Sequence, residues 1–133
     1  MKTASAKAKG REAENGLVAL LNASGWPYAE RRRQSGARDR GDITGIPKVV
    51  LEVKSGARIN LAGWLKETEV ERINDKATYG ALVIKLRGMG GSRAGEWPVL
   101  LPLSQFLRLL REAGYSAVPW EEDTLGNISE EGP

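Results

Sequence analysis

The segment GDITGIPKVVLEVKS, Gly41 to Ser55, constrains this chain more than any other. It reads as two strands, Gly41 to Ile46 and Val49 to Lys54, joined by a tight Pro47-Lys48 turn. Alternate residues of a strand share a face, so Val50, Glu52 and Lys54 point one way and Leu51 and Val53 the other. A strand this rich in Val and Leu is ordinarily buried, and a charge buried with it needs a partner. Nine residues separate Asp42 from Glu52. A hairpin about Pro47 therefore brings Asp42 beside the Glu52–Lys54 end. Two carboxylates converging with an ammonium group suit a hard divalent cation, because carboxylates are hard oxygen ligands and Mg²⁺ keeps positions open for water and phosphate. The lysine can orient an attacking water and counter charge in the transition state. A bare Glu-x-Lys is also met as an edge-strand salt bridge, but Asp42 at hairpin spacing and the apolar strand favour the site.

The rest of the chain supplies a frame for that hairpin. Leu17, Leu20 and Leu21, with Ala13 a turn earlier, predict a helix from about Lys9 to Ser24. Trp26 to Arg33 reads as a strand, and Gln34 to Arg40 as a polar loop. A second helix is expected from about Leu61 to Ala77 with Asn60 as its N-cap. Tyr79 to Arg87 and Glu96 to Leu101 read as strands on either side of a flexible Gly-rich tip, Gly88 to Gly95. Ser104 is read as the cap of a third helix, whose apolar face is Phe106, Leu107, Leu110 and Ala113 and whose end is Gly114. The order helix, three strands, helix, two strands, helix implies an α/β domain with a mixed sheet covered by helices. Residues 1–9 are expected to be a flexible basic lead-in, 10–119 the single domain, and 120–133 a poorly ordered acidic tail.

Composition narrows the chemistry. The 133 residues contain neither Cys nor His. That excludes disulfides, Cys/His zinc sites, a Cys nucleophile and any histidine general base. No stretch approaches the roughly 18 apolar residues of a membrane span, and the basic start lacks the apolar core of a secretory signal, so a cytoplasmic protein with no membrane association is expected. Net charge is +3, from 20 basic and 17 acidic residues. Five of those acids and none of the bases lie in residues 120–133, leaving 20 bases against 12 acids, +8, in residues 1–119. Arg31, Arg32, Arg33, Arg38 and Arg40 crowd the approach to Asp42. A basic body fits a polyanion, most simply nucleic acid, and these arginines are the expected grip on DNA phosphates, with Arg87 and Arg93 as further backbone contacts. Gly-rich RGMGGSR is no P-loop, having neither the Gly-Lys-[Ser/Thr] end nor a following helix. Trp64 and Trp97 read as packing residues. Lys66, Glu67 and Glu69 read as a solvated helix face, and Asp39 as a loop acid balancing Arg38 and Arg40.

Set as D-x(9)-E-V-K, Asp42, Glu52 and Lys54 resemble the core of the PD-(D/E)XK nucleases, with Gly41 standing where the family name has proline. Within that superfamily the chain is most similar to small, phage-encoded Holliday junction resolvases. The resemblance runs from about Lys9 to Leu110, through Lys9-Gly10 and Glu14, RDRGDITGIPKVVLEVK, Trp64-Leu65 and the expected hairpin from Ala81 to Pro102. It implies a restriction-endonuclease-like mixed sheet of about five strands flanked by helices. It also implies a metal-dependent endodeoxyribonuclease, in a bacterial or phage-infected cell, that leaves 5′-phosphate and 3′-hydroxyl ends. By resemblance Asp42, Glu52 and the carbonyl of Val53 bind Mg²⁺ (or Mn²⁺ in its place), Glu14 completes the site, Lys54 orients the water, and Ser35-Gly36 matches a small loop motif. A helical wheel agrees on Glu14. With Leu17 at zero and about 100° per residue, Glu14 falls near +60°, inside the apolar arc, and Glu12 near 220°, outside it. Resolving a two-fold symmetric junction takes two symmetric nicks, so a homodimer is expected. The rival readings are a nuclease of the same superfamily acting on flaps or duplex, and a non-catalytic nucleic-acid-binding domain.

Overall fold

The computed structural model describes residues 4–32, 41–56 and 58–119. Its elements run α1 (Ala4–Ala23), β1 (Glu30–Arg31), β2 (Ile43–Thr44), β3 (Val49–Ser55), α2 (Leu61–Asn74), β4 (Tyr79–Lys85), a 3-10 turn (Gly91–Glu96), β5 (Val99–Leu100) and α3 (Leu103–Glu112). The five strands form one sheet in the order β1-β2-β3-β4-β5. Only β3 and β4 are parallel, paired from Val49↔Tyr79 to Ser55↔Lys85; the outer pairings are antiparallel. A parallel pair needs a crossover, and α2 supplies it. The result is the expected α/β architecture, a mixed five-stranded sheet flanked by helices.

The two faces of the sheet differ in chemistry. Beneath α1, the side chains of Ile43, Val53 and Val83 pack with Ala13 and Leu17, and with Ala94 and Trp97 from around the 3-10 turn, into an apolar core. Gly16 lets α1 and the turn approach closely: a Cβ there would stand 3.0 Å from Gly91 Cα and 3.2 Å from Trp97 Cη2. On the other face Val50 and Leu82 are buried together with Glu52, and α2 contributes Thr68, Glu71 and Arg72, also buried. Arg72 passes over Gly80, whose added Cβ would lie 3.0 Å from Arg72 Cβ. Its guanidinium donates to both Glu69 oxygens and to the Ala77 carbonyl. Gln105 of α3 joins that network: its Oε1 accepts the Gly80 N–H at 2.9 Å and its Nε2 donates to Glu69 at 3.1 Å. Strand β5 pairs with β4 only at Leu82 and Val83, so the Gln105 side chain serves a backbone donor that β5 does not reach.

Several boundaries depart from expectation, each for a local reason. α1 begins at Ala4, inside the stretch expected to be a lead-in, where Ala and Lys favour helix. Strand β1 keeps only two residues of the expected Trp26–Arg33. The preceding chain is held in turns by Trp26 N–H to Leu21 O, Ala29 N–H to Trp26 O, and the Asn22 amide on the Trp26 and Ala29 carbonyls. The Gly-rich segment is not an open tip: its second half is the 3-10 turn, which shortens β5 to Val99–Leu100. Asn60 does cap α2, its Oδ1 accepting the Gly63 N–H at 3.1 Å. Ser104 does not cap α3, which starts a residue earlier, after Pro102, with the Gln105 and Phe106 N–H groups on the Pro102 carbonyl. The expected inward face of α3 is also overturned: Phe106 and Leu107 are exposed, and the buried residue is Gln105. The tail from 120 on lies outside the described residues. Among the described residues, no helix is long and apolar enough to cross a membrane.

Candidate metal centre

The hairpin places Asp42 as its spacing implies. β2 and β3 are in register at Ile43↔Leu51, which puts Asp42 across from Glu52. The Asp42 N–H donates to the Leu51 carbonyl at 3.1 Å, and Asp42 Oδ2 accepts the Val53 N–H at 2.9 Å. The turn that makes this possible closes with Val49 N–H on Ile46 O and Lys48 in the left-handed region at φ 68°. Gly41, just before Asp42, sits at φ 96°. Proline is locked near φ −65° and could not take that conformation, and even a Cβ would stand 2.7 Å from Val50 Cγ1. Glycine rather than proline at this position therefore has a backbone cause.

Glu52 projects from β3 beneath α2 and is 3% exposed. Burial pushes its carboxyl far above the ordinary carboxylate range, and Asp42 and Glu71, both against it, push it further. Glu71 reaches it from α2, fully buried. One turn earlier on the same helix face stands Glu67. Carboxylate oxygens of Glu52, Glu67 and Glu71 lie within 4.8 Å of one another, a group that could hold a metal ion. Lys54, two residues beyond Glu52 on the same strand face, pairs with Glu67 Oε2 at 3.0 Å. Burial alone would lower the Lys54 ammonium pKa, but the Glu67 hydrogen bond and the charges of Glu52, Glu67 and Asp42 raise it, so it stays charged. The site meets solvent at Lys54 and Glu67, both part-exposed, near the carboxyl end of a parallel strand where α/β sheets commonly bind ligands.

The donor set fits a hard divalent ion. All the candidate ligands are carboxylates, and burial followed by the neighbouring acids raises the Glu52 carboxyl, a place where a cation would balance the charge. Sequence reasoning assigned Glu67 to a solvated surface and did not weigh Glu71. The signal was present: a lysine on a buried strand needs an acid, and Glu67 and Glu71 stand at i and i+4 on the following crossover helix.

The other anticipated residues lie as follows. Glu14 is half-buried and Glu12 exposed, the order the helical wheel gives, but Glu14 is engaged by Arg31, Nε to Oε1 at 3.1 Å, rather than gathered with the α2 carboxylates. Glu12 lies 3.9 Å from Lys85. Arg32 binds the site's backbone, its N–H donating to the Asp42 carbonyl at 2.8 Å, and its guanidinium pairs with Asp75 at 3.5 Å. Arg87 is exposed. Arg93 is turned to Glu96 in a two-pronged pair at 2.9 Å. Trp97 is buried in the core with its indole N–H on the Met89 carbonyl, a packing residue as expected, and Trp64 is half-buried. Glu69 supports Arg72 and Gln105 instead of facing water. Arg33, Ser35, Arg38, Asp39 and Arg40 lie outside the described residues. Comparison with models of known families, with characterised proteins and with solved structures found no match to the chain.

Proposed function

We propose that the chain is a Mg²⁺-dependent endodeoxyribonuclease and that its substrate is a four-way DNA junction. The observation that carries the reading is the buried Glu52 carboxyl, with Asp42 beside it in hairpin register, Glu71 above it and Lys54 two residues on. A carboxyl group in such surroundings is costly unless a cation joins it, and the surrounding chain is basic, as a DNA-binding protein should be.

Glu52 and Glu71, flanked by Asp42 and Glu67, would hold the ion. A bound Mg²⁺ supplies Lewis-acid stabilisation of phosphoryl charge. The chain's own residues do the rest. Val53 N–H fixes the Asp42 carboxylate, and Glu67 holds the Lys54 ammonium at the solvent side of the cluster, where it can orient a water and offset charge developing on the scissile phosphate. Arg31, in β1, and Arg32, just past it, lie beside β2 and would bind the flanking phosphates. Glu14 positions Arg31 through their ion pair.

The deciding experiment compares cleavage of a four-way junction, a flap and a linear duplex by purified protein with Mg²⁺ and with EDTA. Metal-dependent paired nicking of the junction is expected. Preference for flap or duplex would retain the nuclease and change the substrate. Binding without cleavage in Mg²⁺ or Mn²⁺ would make the chain a binding module and refute the catalytic reading.

A further inference from the structure

Helix α3 is amphipathic in the wrong direction for a helix whose only partner is its own sheet. At about 100° per residue, Leu103, Phe106, Leu107 and Leu110 share one stripe, and Gln105 lies opposite. It is Gln105 that faces the protein, 1% exposed, while Leu103 is 69%, Phe106 44% and Leu107 42% exposed. The inner face meets the sheet through polar groups, Gln105 bonding Gly80 and Glu69 and Glu112 lying against the Tyr79 hydroxyl, with Leu109 at its border 41% exposed. The orientation is fixed by these bonds, since turning the leucines inward would break the Gly80 and Glu69 contacts. The chain beyond the helix extends the outer face. Gly114, at φ 90°, closes the helix with Tyr115 N–H on Leu110 O and its own N–H on Arg111 O. Closure of this kind commonly sets the residue after the glycine against the last turn's apolar side chain. Arg111 then ties back the Val118 carbonyl, and Tyr115 and Val118 are both largely exposed.

We propose that this outer face of α3 is the contact through which two copies of the chain pair about a two-fold axis. Three observations favour a second copy. The stripe is self-complementary, because its 3-1-3 spacing is symmetric about the midpoint between Phe106 and Leu107. An antiparallel pairing there sets Leu103 against Leu110 and Phe106 against Leu107, apolar on apolar, with no charge in the stripe to repel its own image. The area also fits. At about 150–250 Å² for a fully exposed large apolar side chain, Leu103, Phe106, Leu107, Tyr115 and Val118 present about 500 Å² per copy. That lies in the upper part of the roughly 300–600 Å² that the largest apolar patch of a monomer occupies, a size at which such a patch often serves a contact. Two such patches, at roughly 60% apolar content, imply an interface of about 1,600 Å², the usual size of a stable one. Finally, Arg111 borders the stripe as a rim charge does, while Arg108 and Glu112 pair with each other on the inner side.

The test reads mass without DNA or metal, so it stands apart from the nuclease reading. Sedimentation of the full chain from micromolar concentration upward should give twice the 14.5 kDa chain mass. Phe106→Glu and Phe106→Lys should each be monomeric, with the dimer dissociation constant raised about 100-fold or more, and with circular dichroism unchanged. Mixing the two variants should restore a dimer. Leu103→Glu, at the most exposed position of the stripe, should repeat the loss and guards against a folding defect at Phe106. A monomeric wild type would overturn the proposal. So would a dimer that survives in the folded Glu variants. A monomer that dimerises only after residues 120–133 are removed would make the acidic tail the occupant and equally overturn it.

Discussion

Replacing Glu52 by Gln gives a sharp reading of the carboxylate cluster because it separates charge from shape. The Glu52 carboxyl is raised in the folded chain, first by burial and then by Asp42 and Glu71. A raised carboxyl keeps its full contribution to stability below the unfolded value, near the ordinary 4.5, and loses it as pH rises above that. In metal-free buffer the wild type should therefore lose about 1.4 kcal/mol of stability per pH unit from this group as pH climbs from 5 toward 8. Gln at the same position is neutral at every pH and nearly isosteric, so that component of the slope should vanish. Urea melts of both proteins at several pH values in EDTA measure the difference. Adding Mg²⁺ at pH 8 should stabilise the wild type by RT ln(1 + [L]/Kd), about 2.7 kcal/mol at one hundred times Kd, and leave Glu52→Gln almost unmoved. Parallel pH profiles for the two proteins, or equal Mg²⁺ stabilisation, would refute both the protonated-carboxyl argument and the metal site.

Other expectations follow from individual contacts. Lys54→Ala should melt near the wild-type temperature in Mg²⁺ yet cleave about 10²–10³-fold more slowly, as measured in single-turnover assays; loss of fold instead would make the Lys54–Glu67 pair structural. Gln105→Ala leaves the Gly80 N–H without its acceptor and should destabilise by about 1–3 kcal/mol in denaturant melts, more than the exposed Arg87→Ala. Gly41→Ala forces a Cβ against Val50 at positive φ and should lower stability by about 1–3 kcal/mol, with Gly41→Pro worse. Replacing Arg31 and Arg32 with Ala should flatten the dependence of log affinity on log salt by about one unit per lost phosphate contact in DNA-binding titrations; an unchanged slope would take β1 off the DNA path.

What the sequence made legible was whatever had a period or a spacing. The D-x(9)-E interval and the Pro-Lys turn were enough to place Asp42 opposite Glu52, because an antiparallel hairpin has only one register for a given turn. The crossover from β3 through α2 to β4 followed from strand–helix–strand order. The edge strands are expected too long, since Trp26–Arg33 contracts to Glu30–Arg31 and Glu96–Leu101 to Val99–Leu100: their extent is set by pairing partners, not by their own apolar pattern. α2 and α3 depart for one shared reason: the expected α3 face puts Phe106 and Leu107 inside and the expected α2 face puts Glu67 and Glu69 in solvent, whereas the faces over the sheet are polar, with Glu71, Arg72 and Gln105 inside and Phe106 and Leu107 outside.

That inversion is itself informative about function. Stability alone would favour apolar residues over the sheet, since a buried ionic network rarely outperforms well-packed hydrocarbons and is strongly destabilising when one member is lost. Yet the α2 face that covers β3 and β4 carries Thr68, Glu71 and Arg72. Glu69, held by Arg72 and Gln105, anchors the middle of the helix. Glu67 and Glu71, two positions to either side of it, are thereby fixed over Glu52 and Lys54. The network thus sets the placement of the acids that close over the strand, which is the rigid support a metal site needs from the groups behind its ligands. Because Gln105 belongs to α3, the same bonds that lock α2 over the carboxylates also turn the leucines of α3 outward. One polar network therefore fixes both the candidate site and the face proposed for pairing.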